Sequence, residues 1–201
     1  VADEVVTGFG RLGSMFGSDH YGMKPDLITI AKGLTSAYAP LSGSIVSDKM
    51  WKVLEQGTDE NGPIGHGWTY SAHPIGAAAG VANLSLIDSL GLVENAGTVG
   101  ADLNAKMRDA LGGHDHVGDV RGEGMICALE FVKDKTDRVF YDPADKIGPQ
   151  IAAKLLEQDQ IIARAMPQGD ILGFAPPFCL TTQQVDQIVA ATERAVKAVL
   201  G

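Results

Sequence analysis

Short apolar segments alternate with longer segments of helical periodicity along the 201 residues, and this alternation constrains the fold more than any other feature. Glycine, proline and aspartate bound the short apolar segments, as they do around buried strands. The pattern is typical of an α/β protein. The clearest helix is predicted near the carboxyl terminus, where apolar residues recur at helical spacing behind a Thr181-x-x-Gln184 capping box.

Apolar periodicity and turn-forming residues also predict the remaining strands and helices and one long loop. Strands are predicted at residues 1–6, 27–31, 43–46, 127–132, 161–163 and 171–174. Helices are predicted at residues 73–90, 92–111, 146–158 and 183–200. Residues 55–67 are rich in Gly, Asp, Asn and Pro and are predicted to form a surface loop. A change of domain is predicted near residue 95, which gives domains 1–95 and 96–201.

Composition and charge limit the partners. The chain is 45% hydrophobic and 20% charged, an ordinary globular composition, with a formal net charge of -9. A negative surface repels phosphate backbones and anionic lipids. We therefore expect neither nucleic acid nor a membrane surface as a partner, and any bound anion must be held by donors at contact range.

The cysteines and the first residues indicate the compartment and the extent of the chain. Cys127 and Cys179 lie inside apolar runs with no metal-ligand or redox spacing, which favours small buried side chains in a reducing compartment. No apolar stretch is long enough to span a bilayer and no signal peptide opens the chain, so a cytoplasmic location is predicted. The sequence starts without Met, inside a predicted strand, and is interpreted as a fragment.

A glycine-rich segment satisfies the dinucleotide-binding pattern but is interpreted as a turn. Residues 8–13 read GFGRLG and follow a predicted strand. In a dinucleotide fold the third glycine opens a helix whose amino terminus faces the pyrophosphate. Residues 14–21 include Gly17, Ser18 and Asp19, so no helix of useful length is expected there.

A carboxylate and a lysine provide the more informative pattern. Asp3 lies in the first predicted strand, and Lys32 ends the apolar strand LITIA. A lysine at such a place should be partly buried, and burial favours the neutral amine that attacks an aldehyde to give a Schiff base. The alternative is a lysine whose amine extends to solvent beyond the end of the strand. The spacing alone leaves both interpretations open.

An ordered set of motifs resembles the class III aminotransferases, which use pyridoxal phosphate. These motifs are DEVVTGFGRLG at 3–13, KPDL at 24–27, AKGL at 31–34, GWTYSAHP at 67–74 and DVRGEGM at 119–125. Within the class, RAM at 164–166 with GD at 169–170 and FAPP at 174–177 is most similar to the omega, or amine:pyruvate, transaminases. The resemblance implies fold type I: part of a large cofactor-binding domain with a mostly parallel sheet, followed by a small α/β domain.

The resemblance also implies roles for individual residues in the cofactor site. Lys32 would hold pyridoxal phosphate covalently and then move the proton that is transferred during the reaction. Asp3 would pair with the pyridine nitrogen and keep it protonated. Val5, two residues along the predicted strand and so on the side of Asp3, would pack on one face of the cofactor ring. A plain core valine is equally compatible with the sequence.

Two further positions are implied at the interface of a homodimer. Thr69 matches the family position whose hydroxyl and amide reach the cofactor phosphate of the other subunit, and the amide of Trp68 would assist. The neighbouring His66, Tyr70 and His73 are interpreted as packing or interface residues, because they give no catalytic geometry. No metal site is expected.

Arg164 is the candidate for substrate binding. It follows an apolar segment, and in similar transaminases the corresponding arginine binds the carboxylate of the keto acid bidentately. The alternative is an ion pair with an acidic neighbour such as Asp170. Arg121, in a Gly-flanked turn, is interpreted as structural.

The resemblance implies transfer of an amino group from a primary amine or omega-amino acid to an alpha-keto acid such as pyruvate. The family's phosphate-cradling Gly-Ser loop and the aromatic residue on the cofactor's other face are not in this chain. We therefore expect the 201 residues alone to bind the cofactor weakly or not at all. A decarboxylase or aminomutase of the same fold, or a non-catalytic remnant, remains an open alternative.

Overall fold

The computed structural model describes residues 1–201, which divide into two compact units, Val1–Glu94 and Asn95–Gly201. The seven strands are β1 Ala2–Asp3, β2 Leu27–Ile30, β3 Gly43–Val46, β4 Val117–Glu123, β5 Ile126–Phe131, β6 Arg164–Ala165 and β7 Ile171–Phe174. The six α-helices are α1 Gly17–His20, α2 Asp48–Asn61, α3 Pro74–Ser89, α4 Leu92–Leu111, α5 Ile147–Asp159 and α6 Thr182–Leu200. Two 3-10 turns cover Lys32–Leu34 and Pro143–Asp145.

The first unit contains a three-stranded mixed sheet with the order β1-β2-β3. β1 pairs with β2 in parallel, with Asp3 opposite Thr29, and β2 pairs with β3 antiparallel. A small core of Phe9, Leu34 and Ile87 packs beside the sheet. Because β1 and β2 are parallel, the residues that follow them lie at the same edge of the sheet.

Two predictions for this unit are wrong in part. Of the strand predicted at residues 1–6, only Ala2–Asp3 form a strand, β1. The chain turns after Asp3, and the Gly8 amide donates a hydrogen bond to the Glu4 carbonyl. The loop predicted at 55–67 is wrong for residues 55–61, which are the end of α2, and right for residues 62–67, which lie in no helix or strand. Ser47 caps the start of α2 by accepting a hydrogen bond from the Met50 amide. The polar residues up to Asn61 therefore belong to a helix, whereas the glycines and the proline after it form the loop.

The second unit contains a four-stranded antiparallel sheet with the order β4-β5-β7-β6. Alternate residues of β5 are buried, as expected for a strand with one covered face. Helices α4, α5 and α6 contribute the rest of a large apolar core, which includes Leu103, Met107, Ile151, Leu155 and Val196. Burial of these apolar side chains stabilises the second unit.

The structure changes two assignments in this unit and confirms another. β4 was not predicted, since its two glycines and its charged residues suggested a turn. The strand predicted at 161–163 is displaced to β6. The capping box is confirmed, because the Gln184 amide donates to Thr181 Oγ1 while Gln184 Oε1 accepts from the Thr181 amide.

No single helix is both long enough and apolar enough to cross a bilayer. The bent pair α3 and α4 passes on length and composition when the two helices are taken together.

Candidate active site

A carboxylate and an amine follow two adjacent parallel strands. Asp3 is the last residue of β1, and Lys32 begins the 3-10 turn two residues after Ile30, the end of β2. Residues that follow parallel strands meet at one edge of a sheet, which is where ligands bind in open α/β folds. The two predicted catalytic residues therefore belong to the same edge.

Hydrogen bonds fix one oxygen of the Asp3 carboxylate and leave the other open. Asp3 Oδ1 accepts from the Val5 amide at 3.0 Å and from Thr29 Oγ1 at 3.1 Å. No hydrogen bond reaches Oδ2, and the side chain is exposed. The carboxylate is thus oriented and still able to accept a further hydrogen bond from a charged N–H group.

The neighbouring carboxylate, Glu4, is buried and fully engaged. It is 2% exposed and accepts hydrogen bonds from Thr7 Oγ1, from the Gly17 amide at 2.8 Å and from the Ser18 amide at 2.6 Å. Burial alone would raise the pKa of the Glu4 carboxyl, but the hydrogen bonds from Thr7, Ser18 and Gly17 outweigh burial and hold the pKa below its ordinary value. Glu4 therefore anchors the turn that follows Asp3, a role that the sequence did not indicate.

The Lys32 side chain is exposed and forms neither a hydrogen bond nor an ion pair in this chain. The expectation of a partly buried strand-end lysine is wrong for these 201 residues, because β2 ends at Ile30 and the chain enters the 3-10 turn. The backbone at Lys32 has a φ of 38°, in the left-handed region that side-chain-bearing residues seldom occupy. An unpaired amine on a tightly folded turn is available to an aldehyde.

Val5 does not lie on a strand. Because β1 ends at Asp3, the alternation of strand side chains cannot place Val5 on the side of Asp3. Its amide instead donates to Asp3 Oδ1. The strand argument for Val5 is wrong, and a contact between Val5 and the cofactor ring stays a prediction.

Trp68 and Thr69 lie in the exposed segment between α2 and α3. Trp68 is 72% exposed, and its amide donates to Ser71 Oγ at 3.1 Å. Thr69 is exposed at the start of the turn 69–72. In this chain the Trp68 amide is hydrogen-bonded within the turn, whereas the Thr69 hydroxyl forms no hydrogen bond.

The aromatic neighbours of this segment have structural roles. The rings of His66 and Trp68 pack edge to face with centroids 5.1 Å apart. His73 is the residue preceding α3, and its Nδ1 accepts from the Ile75 amide at 3.3 Å. His73 therefore caps a helix, which agrees with its interpretation as a packing residue.

Arg164, in the second unit, is exposed and has no ion-pair partner. The alternative pairing with Asp170 does not form, and Asp170 Oδ1 accepts from the Gly148 amide at 3.0 Å. Arg121 instead lies in β4 and pairs with Asp119 and Glu130 at 2.9 and 2.6 Å. Its structural interpretation holds, but its place is a strand and not a turn.

The glycine-rich segment forms a turn, as predicted. Phe9, Gly10 and Gly13 all have positive φ values, and the helix that follows, α1, has only four residues. Phe9 packs edge to face on Phe16 with ring centroids 5.5 Å apart. This geometry does not provide the long helix that a pyrophosphate site requires.

The chemistry of these groups suits an aldehyde and a protonated ring nitrogen. The free amine of Lys32 can attack an aldehyde, and the open oxygen of Asp3 can accept from a pyridinium N–H. No group of three or more His, Cys, Asp or Glu side chains is arranged to hold a metal ion. The edge formed by β1 and β2 therefore fits pyridoxal phosphate.

Comparison with known proteins identifies the family. The sequence profile of the class III aminotransferases matches residues 1–196. The chain is 63% identical over 199 residues to the diaminobutyrate–2-oxoglutarate transaminase of Halomonas elongata, covering 99% of this chain and 42% of that protein. It is 38% identical over 194 residues to the putrescine–pyruvate aminotransferase of Pseudomonas aeruginosa, covering 96% of this chain and 41% of that protein.

A solved structure agrees with this assignment. The (S)-enantioselective omega-transaminase from Thermomicrobium roseum superposes with a TM-score of 0.91 at 37% identity, covering 99% of this chain and 43% of that chain. The α/β fold is therefore part of a fold type I transaminase, and the chain spans less than half the length of these relatives. Class III aminotransferases are pyridoxal phosphate enzymes. The chain belongs to the class III aminotransferase family.

Proposed function

We propose that this chain is the carboxyl-terminal part of a pyridoxal-phosphate-dependent transaminase that moves an amino group from a primary amine or omega-amino acid to an alpha-keto acid. One observation carries the proposal. Two adjacent parallel strands end in an open carboxylate, Asp3, and a free amine, Lys32, within a chain that the family profile matches over residues 1–196. The first unit would belong to the large domain and the second would be the small domain.

Each of the two residues has a defined task. When bound, pyridoxal phosphate supplies an electrophilic aldehyde and a ring that withdraws electrons from the substrate. Lys32 Nζ would attach the cofactor, later take a proton from the amine-bearing carbon of the substrate, and deliver that proton to the C4' carbon of the cofactor. Asp3 would keep the ring nitrogen protonated, and the hydrogen bonds from Val5 and Thr29 hold its carboxylate for that purpose.

Arg164 would recognise the carboxylate of the keto acid. Its guanidinium is exposed and unpaired, so it can form a bidentate contact without breaking an existing ion pair. The acceptor is pyruvate in our proposal. The name of the Halomonas elongata relative makes 2-oxoglutarate the second candidate, and the two are compared in the experiment below.

The active protein would be a homodimer whose sites are shared across the interface. Thr69 and Trp68 would reach the cofactor phosphate of the other subunit. The segment around them is exposed in this chain, with Trp68 72%, Tyr70 80% and Ile75 67% exposed, as expected of a surface that a second copy covers. A cytoplasmic location is also proposed, supported by two cysteines that form no disulfide.

A hybrid enzyme tests the reaction. The amino-terminal part of the Halomonas elongata relative is joined ahead of Val1, and the formation of amino acid from each keto acid is measured with putrescine as donor. We expect alanine from pyruvate and a dimer in analytical ultracentrifugation. A second assay uses diaminobutyrate, the donor in the name of the same relative, because it carries the carboxylate that a decarboxylase would release. Release of carbon dioxide from diaminobutyrate, or rearrangement of either donor without amino transfer, would contradict the proposal. The 201-residue chain alone should develop little visible absorbance when pyridoxal phosphate is added.

Substitution of Arg164 by alanine tests substrate recognition in the same hybrid. Loss of hydrogen bonds to a charged group should raise the KM for the keto acid about 10- to 100-fold and leave the reaction with putrescine, which has no carboxylate, nearly unchanged. Arg138 is also exposed and unpaired, so Arg138→Ala is the matched control. An unchanged dependence on keto acid in Arg164→Ala would remove this role.

A further inference from the structure

Helix α3 places one line of residues against the turn that carries Lys32. Gly76, Gly80, Asn83 and Ile87 recur at spacings of four, three and four, which is one face of a helix. A β-carbon at Gly76 would lie 3.2 Å from the Pro40 carbonyl oxygen, and one at Gly80 would lie 3.4 Å from Leu41 Cδ2. The small residues thus allow α3 to approach the segment after Lys32 closely.

The side-chain amide of Asn83 binds that segment directly. Asn83 Nδ2 donates to the carbonyl oxygens of Gly33 at 2.8 Å and Leu34 at 3.2 Å. Asn83 Oδ1 accepts from Ser36 Oγ at 2.7 Å. One partly buried side chain therefore holds three of the four residues that follow Lys32.

The segment needs such support because its backbone is unusual. Lys32, Ser36 and Ala37 have φ values of 38°, 48° and 63°, in the left-handed region that is unfavourable for residues with a side chain. The backbone hydrogen bonds inside the segment each close one short turn: from the Leu34 amide to the Ala31 carbonyl at 3.0 Å, from the Thr35 amide to the Lys32 carbonyl at 3.2 Å and from the Tyr38 amide to the Thr35 carbonyl at 3.1 Å. Because the left-handed residues are unfavourable by themselves, tertiary contacts add to these local bonds in stabilising the conformation.

The opposite side of the turn is fixed by the glycine-rich loop. A β-carbon at Gly33 would lie 3.3 Å from the Gly8 carbonyl oxygen and 3.3 Å from Phe9 Cβ. The turn is thus held between the rigid Gly8–Phe9 backbone and the Asn83 amide. The Gly33 and Leu34 carbonyls accept hydrogen bonds from Asn83 and not from the Gly8–Phe9 side, so Asn83 fixes the direction in which these carbonyls point.

We propose that Asn83 is a positioning residue that holds the Lys32 turn in its left-handed conformation and thereby sets where the Lys32 amine lies relative to Asp3. This inference rests on the proposed function, because it concerns the residue that would attach the cofactor. Asn83 itself would touch neither cofactor nor substrate.

The test uses Asn83→Leu, which keeps the size of the side chain and removes its hydrogen bonds. Asn83→Asp keeps the acceptor for Ser36 but cannot donate to the carbonyls of Gly33 and Leu34. Ser85→Ala is the matched control, because the Ser85 hydroxyl donates only to the Val81 carbonyl of its own helix. Hydrogen exchange is measured in both variants at residue 83, so it gives a result if one of them fails to fold.

Two measurements separate positioning from general stability. In the 201-residue chain, hydrogen exchange of the Leu34 and Thr35 amides should be about tenfold faster in both Asn83 variants than in Ser85→Ala. In the cofactor-loaded hybrid, the pH at which the visible absorbance changes should shift by about half a pH unit or more in the Asn83→Leu variant, since the attached amine is displaced.

Each outcome decides the inference. Faster exchange together with a shifted absorbance titration supports it. Faster exchange with an unshifted titration shows that Asn83 only stabilises the fold and overturns the inference, as does exchange equal to that of Ser85→Ala. A Lys32→Ala hybrid that still fixes cofactor on borohydride reduction overturns the proposed function itself, so the two failures are distinguishable.

Discussion

Replacing Glu4 by glutamine should destabilise the first unit strongly at neutral pH. Both oxygens of the buried Glu4 carboxylate accept hydrogen bonds: Oε2 from Thr7 Oγ1 and the Gly17 amide, and Oε1 from the Ser18 amide. Glutamine has a single acceptor oxygen, so its NH₂ group would face a backbone N–H and leave a buried donor unpaired. Loss of a charge-assisted hydrogen bond together with the unpaired donor should lower the free energy of unfolding by about 3 kcal/mol.

The effect should depend on pH in a defined direction. The pKa of Glu4 is lowered in the folded chain from an ordinary value of 4.5. The stability that the carboxylate contributes is therefore fully present above that ordinary value and is lost as pH falls through the lower folded value. The difference between the original chain and Glu4→Gln should be constant at neutral pH and should narrow once the pH falls below 4.5.

Urea unfolding followed by far-ultraviolet circular dichroism measures this difference across the pH range. Glu60→Gln is the control, because the Glu60 side chain is exposed and accepts only from Gln56 at 2.9 Å. Its effect should stay within about 0.5 kcal/mol. The reasoning would be refuted if Glu4→Gln lowered the free energy of unfolding no more than the control does, or by the same amount in acid as at neutral pH.

Two further predictions concern the second unit. Gly100→Ala places a β-carbon 2.2 Å from the Gly124 carbonyl carbon and should lower the free energy of unfolding by about 3 kcal/mol, measured by urea unfolding. Gly113→Ala meets nothing within 4 Å, and equal effects of the two would contradict this. The prediction that both cysteines are buried is right for Cys127 and wrong for Cys179, which is exposed. Burial raises the pKa of the Cys127 thiol to about 11, so iodoacetamide should modify Cys179 in the folded chain and Cys127 only after unfolding, as mass spectrometry would show. Equal rates at both thiols would contradict the burial argument.

Sequence patterns predicted best those elements whose own residues determine them. β3, β7 and α4 lie where the apolar periodicity placed them, since each pairs a clear period with turn-forming residues at its ends. The capping box at Thr181 is a local signal and was also confirmed. Local chemistry was sufficient in these places.

Elements determined by distant contacts were missed. β4 contains Gly118 and Gly122 among charged residues, and it is a strand only because β5 pairs with it. The last part of α2 contains Gly57 and Asp59, which favour a loop, and the helix continues through them to Asn61. Tertiary pairing and helix continuation outweighed residue preference in both cases.

The candidate site shows the same division. Asp3, Lys32 and Arg164 were selected from the sequence by residue type and family motif. Glu4 and Asn83 were not, because their roles depend on contacts with residues 13 and 50 positions away along the chain. A single sequence carries no signal for such pairs, whereas the folded chain shows them directly.

The central claim is that the amine of Lys32 attaches the cofactor. The direct measurement is borohydride reduction of the cofactor-loaded hybrid, followed by peptide mapping. We expect the pyridoxyl group on Lys32, and we expect Lys32→Ala to yield a protein without the label, the visible absorbance or turnover. Recovery of the label on another lysine, or unchanged turnover in Lys32→Ala, would contradict the account.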